Sequence, residues 1–142
     1  MLIRNYGFFW QREQIFWGAG RNPGHLKGVL ATATTAEPID FREQIGVYAL
    51  YDVGFRLVYV SQAGVGNSNL FSRLKQHRSD RLAERWDRVS WFGTRKVNST
   101  GKNIGLLASK GERKNVLMSD VLNHIEAILI EVTEPPKNRQ GG

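Results

Sequence analysis

Hydrophobic positions along this chain repeat with two different periods, and each period marks a different kind of element. The runs Gly46–Asp52 and Arg56–Gln62 are rich in Val, Leu and Tyr, residues that suit a half-buried pleated surface, so both read as strands. Asp52-Val53-Gly54-Phe55 between them predicts a tight hairpin turn. A symmetric loop there places Tyr48 directly opposite Tyr59, on one face of the sheet. Next, Leu70, Phe71 and Leu74 recur at helical spacing behind Ser68, which predicts a Ser68-capped helix from Asn69 to about Arg78. A second helical piece over Asp80–Trp86 and a third strand over Val89–Gly93 follow. Asn98–Lys114, with three glycines and four Lys or Arg, predicts a long mobile loop. Met118, Val121, Leu122, Ile125 and Leu129 return to helical spacing and predict a last helix over Val116–Glu131, ended by Pro135-Pro136.

The first part of the chain differs. Tyr6, Phe8 and Trp10 alternate with their neighbours, Ile15-Phe16-Trp17 follows a polar stretch, and Gly18–Gly20 and Asn22-Pro23-Gly24 are turn material. Ala31–Pro38, rich in Thr and Ala, reads as a linker. The expected organisation is therefore an aromatic, β-rich N-terminal extension over residues 1–43 and an α+β domain over residues 44–142.

Length and composition narrow the class. A chain of 142 residues, 41% hydrophobic and 11% aromatic, is long enough to bury a core and too apolar to be disordered. It has no cysteine, which excludes disulfides and thiolate metal sites. No apolar run is long enough to span a bilayer, and Met1-Leu2-Ile3-Arg4 lacks the layout of a secretory leader. A cytoplasmic protein with no membrane partner is the expectation.

The net charge of +7 is concentrated. Residues 1–72 hold six Lys or Arg against five Asp or Glu, residues 73–114 hold twelve against four, and residues 115–142 hold two against four. Such a central basic stretch suits a phosphate-backbone binder, and it suits a solvated surface equally well.

Six polar side chains stand out within this frame. Arg73 and His77 lie one turn apart on a helix; an arginine there can stabilise charge on a pentacoordinate phosphate, or the pair can be ordinary surface residues. Glu126 falls at the edge of the last helix's apolar stripe, roughly 80° from its centre. An acid so placed needs a partner, whether a hard divalent cation or an arginine. Tyr48 and Tyr59 are either core aromatics or a pair of hydroxyls able to meet a phosphate and a water, where a phenol near both a metal and an arginine can have a lowered pKa. Asn138 follows two prolines, in a turn setting where asparagine is common.

In order and spacing these residues resemble the GIY-YIG nuclease superfamily, in particular its restriction-endonuclease branch. Gly46-Val47-Tyr48 matches the first motif, and Tyr59-Val60-Ser61 with Gln62-Ala63-Gly64 matches the second. Arg73-x-x-x-His77, Glu126 and Asn138 match the helix arginine, the metal-binding acid and the late asparagine. Ser61 departs from the pattern, which has glycine there. The resemblance covers about residues 44–142.

It implies a small, mainly antiparallel three-stranded sheet flanked by helices. The implied activity is hydrolysis of DNA phosphodiesters with one Mg²⁺ or Mn²⁺ held by Glu126. Tyr48, assisted by His77, would activate water; Arg73 and Tyr59 would steady the phosphate, and Asn138 would fix the site's geometry. Lys75, Arg78, Arg95, Lys96 and Lys102 would lie along the DNA backbone, and a homodimer would cut both strands. The rival expectation is a catalytically silent nucleic-acid-binding module on the same scaffold.

Overall fold

The computed structural model describes residues 3–30, 37–64 and 66–109, together with Val121, Asn123, His124 and Ala127. Its centre is a four-stranded antiparallel sheet in the order β1-β6-β4-β5, built from β1 (Asn5–Gln11), β4 (Gly46–Tyr51), β5 (Leu57–Ala63) and β6 (Arg88–Gly93). Two short strands, β2 (Lys27–Gly28) and β3 (Ile39–Asp40), pair separately. The helix α1 covers Leu70–Gln76. No helix among the described residues is long and apolar enough to cross a membrane.

This architecture corrects the expected three-stranded sheet flanked by helices. The residues are mostly sheet, and among those described only α1 is a complete α-helix. The fourth strand comes from the presumed extension: β1 pairs with β6 from Asn5↔Gly93 to Gln11↔Arg88, so one sheet spans both sides of residue 43. The helix expected over Asp80–Trp86 is replaced by tight turns, Ala83 N to Asp80 O and Arg85 N to Leu82 O. Arg12 explains the difference. Its guanidinium takes the carbonyls of Ala83 and Trp86, while the Asp87 amide turns away to Tyr51 O. The carbonyls and amides of a continuing helix are thereby used elsewhere.

Alternation along the strands divides the core into two layers. Tyr48, Leu50, Val89 and Trp91 face α1 and pack with Leu70, Phe71, Leu74, Leu82 and Trp86. Val47, Ala49, Tyr51 and Phe92 face the other way and pack with Val121, Ile3, Phe9 and Val60. In β1 the register shifts between Gly7 and Trp10, where Phe9 adopts φ 54°. That bulge sends Trp10 to the first layer and Phe9 to the second.

A second irregularity sets the register of the hairpin. Tyr48 pairs with Ser61 and Leu50 with Tyr59, but Tyr51 pairs with Leu57. Val58, bulged between Leu57 and Tyr59, adds one residue to the strand, and the five-residue loop 52–56 holds one more than a symmetric four-residue turn. Asp52 organises it by accepting from the Gly54 and Arg56 amides, and Phe55 sits at φ 62°. Tyr48 and Tyr59 therefore share a face as diagonal neighbours and are not directly opposed. The cap of α1 also moves by one: Asn69 and Ser72 form a reciprocal capping box, while Ser68 Oγ accepts from Gly64 N at 3.2 Å. The described part of the loop after residue 98 is a closed hairpin, with Asn98 N bonded to Leu106 O and Ala108 N to Lys96 O.

Gln44, 1% exposed, ties the end of the sheet together. Its Nε2 donates to Asn5 Oδ1 (2.6 Å) and Arg95 O (2.9 Å), and its Oε1 accepts from Ile45 N (3.1 Å) and Arg95 N (2.8 Å). All four bonds an amide side chain can make are made. Gly93 leaves room for it, and Gly46 lets β6 come close to β4 at the same end. A Cβ on Gly93 would lie 2.2 Å from Gln44 Cδ, and one on Gly46 (φ +143°) would lie 2.0 Å from Phe92 O. Replacing Gln44 by Leu strands several buried polar groups at once, so the variant is expected to lose about 2–4 kcal/mol of stability in urea denaturation. A loss below about 1 kcal/mol would mean that the strands hold this end without the amide.

Candidate functional site

Strand β4 aims Tyr48 at the end of α1, and β5 presents Tyr59 and Ser61 on the same face. The helix completes the cluster because Arg73 lies in its last turn and His77 is its C-cap. Tyr48 Oη lies 2.8 Å from His77 Nε2. The Tyr59 ring centre is 6.5 Å from that of Tyr48 and 5.2 Å from that of His77. Four of the six residues singled out in the sequence thus converge, drawn from two strands and a helix.

Asp80 joins them, although nothing in the sequence reading picked it out. His77 Nδ1 stands 2.7 Å from Asp80 Oδ2, and the other carboxylate oxygen accepts from Leu82 N at 2.9 Å. A carboxylate only accepts, so Nδ1 carries the hydrogen toward Asp80. In the neutral ring Nε2 is then left to accept the Tyr48 hydroxyl proton. Tyr48, His77 and Asp80 form one directed chain. The three-residue spacing of His77 and Asp80 is the signal the sequence offers for it, and the expected helix over Asp80–Trp86 hides that signal. Ser61, the departure from the motif, also has a place: it lies directly across from Tyr48 on β5.

Burial sets the electrostatics. Tyr48 is fully buried and His77 is 3% exposed, while Tyr59 and Arg73 are partly open to solvent. Burial raises the Tyr48 phenol above its ordinary pKa; Arg73, by charge and hydrogen bonding, and Ser61 pull it back only in part. The lowered phenol expected from the sequence is not produced by these neighbours. Asp80 moves the other way. Burial alone would raise it, but the Leu82 amide, the bond to His77 and the charges of His77 and Arg81 together hold it below its usual value. Arg73 also donates to Gln76 Oε1 at 3.0 Å.

The remaining sequence candidates divide into two groups. Glu126 and Asn138 lie outside the described residues. Lys75 and Arg78 are exposed beside the cluster, set over the rings of Phe71 (6.0 Å) and Trp17 (4.8 Å). Arg95, Lys96 and Lys102 belong to the segment after β6, with no described contact to Tyr48 or His77. Among the described residues no group of three His, Asp or Glu could hold a metal ion. The carboxylate bonded within the cluster, Asp80, is committed to His77 and Leu82, so the described residues do not by themselves make a Mg²⁺ site.

No family model matches this chain, and neither a curated protein nor a solved structure shows significant similarity to it.

The directed chain has two measurable consequences. Nitrogen NMR of neutral His77 should show the proton on Nδ1, and Asp80→Asn should lose that preference; a wild-type ring protonated on Nε2 would contradict the assignment. Asp80 also links stability to pH. Because its folded pKa is depressed, its contribution is present above the unfolded carboxylate pKa and lost as pH falls through the folded value. The stability gap between wild type and Asp80→Asn, from urea denaturation, should therefore be full at neutral pH and close under acid conditions. A gap that does not change with pH would refute the linkage.

Proposed function

We propose that this protein is a DNA endonuclease that hydrolyses phosphodiester bonds at the Tyr48–Tyr59–Arg73–His77 cluster. The observation that supports this most directly is the convergence of those four side chains on one face of the sheet, beside exposed Lys75 and Arg78. Arg73 and the Tyr59 hydroxyl, both partly open to solvent, steady the phosphate and the charge that builds on it. Tyr48 takes a proton from the attacking water as its own passes to His77 Nε2. Asp80 stabilises the imidazolium that results. This coupling lets a phenol with a raised pKa act without becoming a free phenolate. Glu126 is the carboxylate proposed for Mg²⁺ or Mn²⁺, which would add positive charge at the phosphate.

The protein is proposed to act in the cytoplasm. The stacked, exposed pair Tyr6 and Phe8, 4.7 Å between ring centres on edge strand β1, is the surface proposed for a homodimer.

One observation favours a second reading. Complete burial of Tyr48 also suits a polar network that only stabilises the fold, leaving a nucleic-acid-binding module without catalysis. Supercoiled plasmid at low salt with Mg²⁺ or Mn²⁺ separates the two. The nuclease reading expects cation-dependent nicking or linearisation that falls at least about 100-fold in Arg73→Ala, the scale for losing a transition-state donor. Salt-sensitive retention of the plasmid with no cleavage under either cation would leave only the binding module.

A further inference from the structure

A concavity lies on the β1 side of the sheet, whereas the Tyr48 cluster is built on β4, β5 and α1. Its volume is about 440 Å³, inside the range of roughly 300–1,000 Å³ usual for small-ligand sites. Trp10, Phe16 and His25 line it, with Gln11, Gln14 and Lys27 among the other lining residues. The rings are held in place. Trp10 stands edge-on to Trp91 (5.4 Å, 90°), and Gly28 leaves room for its indole, since a Cβ there would come within 2.6 Å. Phe16 and His25 face each other across a β-bridge, 5.1 Å between ring centres. The side-chain amides of Gln11 and Gln14 and the Lys27 ammonium bond to no other described residue.

That combination selects the ligand chemistry. Flat rings stack on a flat heteroaromatic, amides offer both a donor and an acceptor to its edge, and an ammonium suits an attached phosphate. A purely aliphatic ligand would leave both amides unused. A path of rings and cations also leads from the cavity toward the Tyr48 cluster. Trp17, next to Phe16, stacks on Phe71 (5.6 Å) and carries Arg78, and Arg81 stands 5.8 Å over the Tyr59 ring. Alternating aromatic and cationic side chains of this kind hold a nucleic-acid strand through its bases and phosphates.

We infer that the cavity takes one unpaired nucleobase of the DNA whose backbone crosses the face bearing the Tyr48 cluster. The substrate class is then a duplex with an unpaired base near the bond to be cut. Three inter-strand spacings separate β1 from β5, about 14 Å, or about four nucleotide steps at duplex rise. The inference rests on the DNA-binding part of the proposed function, and its test can fail independently of cleavage.

Adenosine monophosphate, titrated into the full chain, is expected to shift the Trp10 indole and Gln14 amide signals saturably in nitrogen–proton spectra. A duplex with one unpaired adenine should bind at least about fivefold more tightly than its fully paired counterpart, the scale of one base–aromatic stack. Phe16→Ala should remove that preference. Gln14→Ala, at an exposed position where folding is not at risk, should reduce it. Absence of nucleotide-induced shifts, or a preference that survives both substitutions, overturns the inference. Plasmid cleavage without nucleotide binding would sink the cavity and spare the nuclease; nucleotide binding without cleavage would do the reverse.

Discussion

The buried amide of Gln44 is the constraint on which the rest of the structure depends. An amide side chain in a dry interior is costly unless every donor and acceptor is matched, and here the partners come from three separate parts of the chain. Asn5 begins β1, Ile45 leads into β4 and Arg95 follows β6. Satisfying one side chain therefore brings three of the four central strands into line at one end. The two glycines stand at the same corner, paired as Gly46↔Gly93: Gly93 leaves room for the amide, and Gly46 leaves room for the Phe92 carbonyl. The glycine of the first motif is thus explained by packing: its φ of +143° and its closeness to Phe92 O admit no side chain.

That clamp also positions the chemistry. The Gln44 carbonyl accepts from Leu70 N at 2.7 Å, and Arg42 O accepts from Phe71 N at 3.2 Å, so α1 starts from the same corner as β4. A helix of seven residues advances about 10 Å. His77 is then delivered to the hydroxyl of Tyr48, which leaves β4 two residues after Gly46. Strand and helix diverge from one anchored point and meet again through a hydrogen bond. The geometry of the Tyr48–His77–Asp80 chain follows from the fold and requires no contribution from a flexible loop.

Local pattern made the strands β4, β5 and β6 and the helix α1 legible in the sequence, along with the shared face of Tyr48 and Tyr59. What was not legible depends on partners far along the chain or on a single inserted residue. Tyr6, Phe8 and Trp10 show strand alternation, but nothing local tells that Asn5 will pair with Gly93. The bulge at Phe9 breaks the period at the point where the strand changes core layer. In the hairpin, the longer loop organised by Asp52 and the bulge at Val58 each add one residue, and together they move Tyr48 from Tyr59 to Ser61. Gln44 is an ordinary polar residue in the sequence, and its worth appears only once its partners, 39 and 51 positions away, are in place.

The two faces of the sheet have been put to different uses, and burial shows why. The second layer packs Val47, Ala49, Tyr51, Phe92 and Val121 together, and its buried Ser90 hydroxyl accepts from Phe9 N. Tyr48, one residue from Val47 and Ala49, has the opposite outlook and meets imidazole, guanidinium and hydroxyl within one cluster. Exposed Lys75 lies on α1 and exposed Arg78, Arg81 and Arg85 follow it, so the positive potential rises on the same side as the Tyr48 cluster. Arg73 and Tyr59 are partly open to solvent on that face, while Tyr48 and His77 are buried. The outer pair can be remodelled at little cost to the fold. The inner pair cannot, because loss of either Tyr48 or His77 leaves the other buried without its partner.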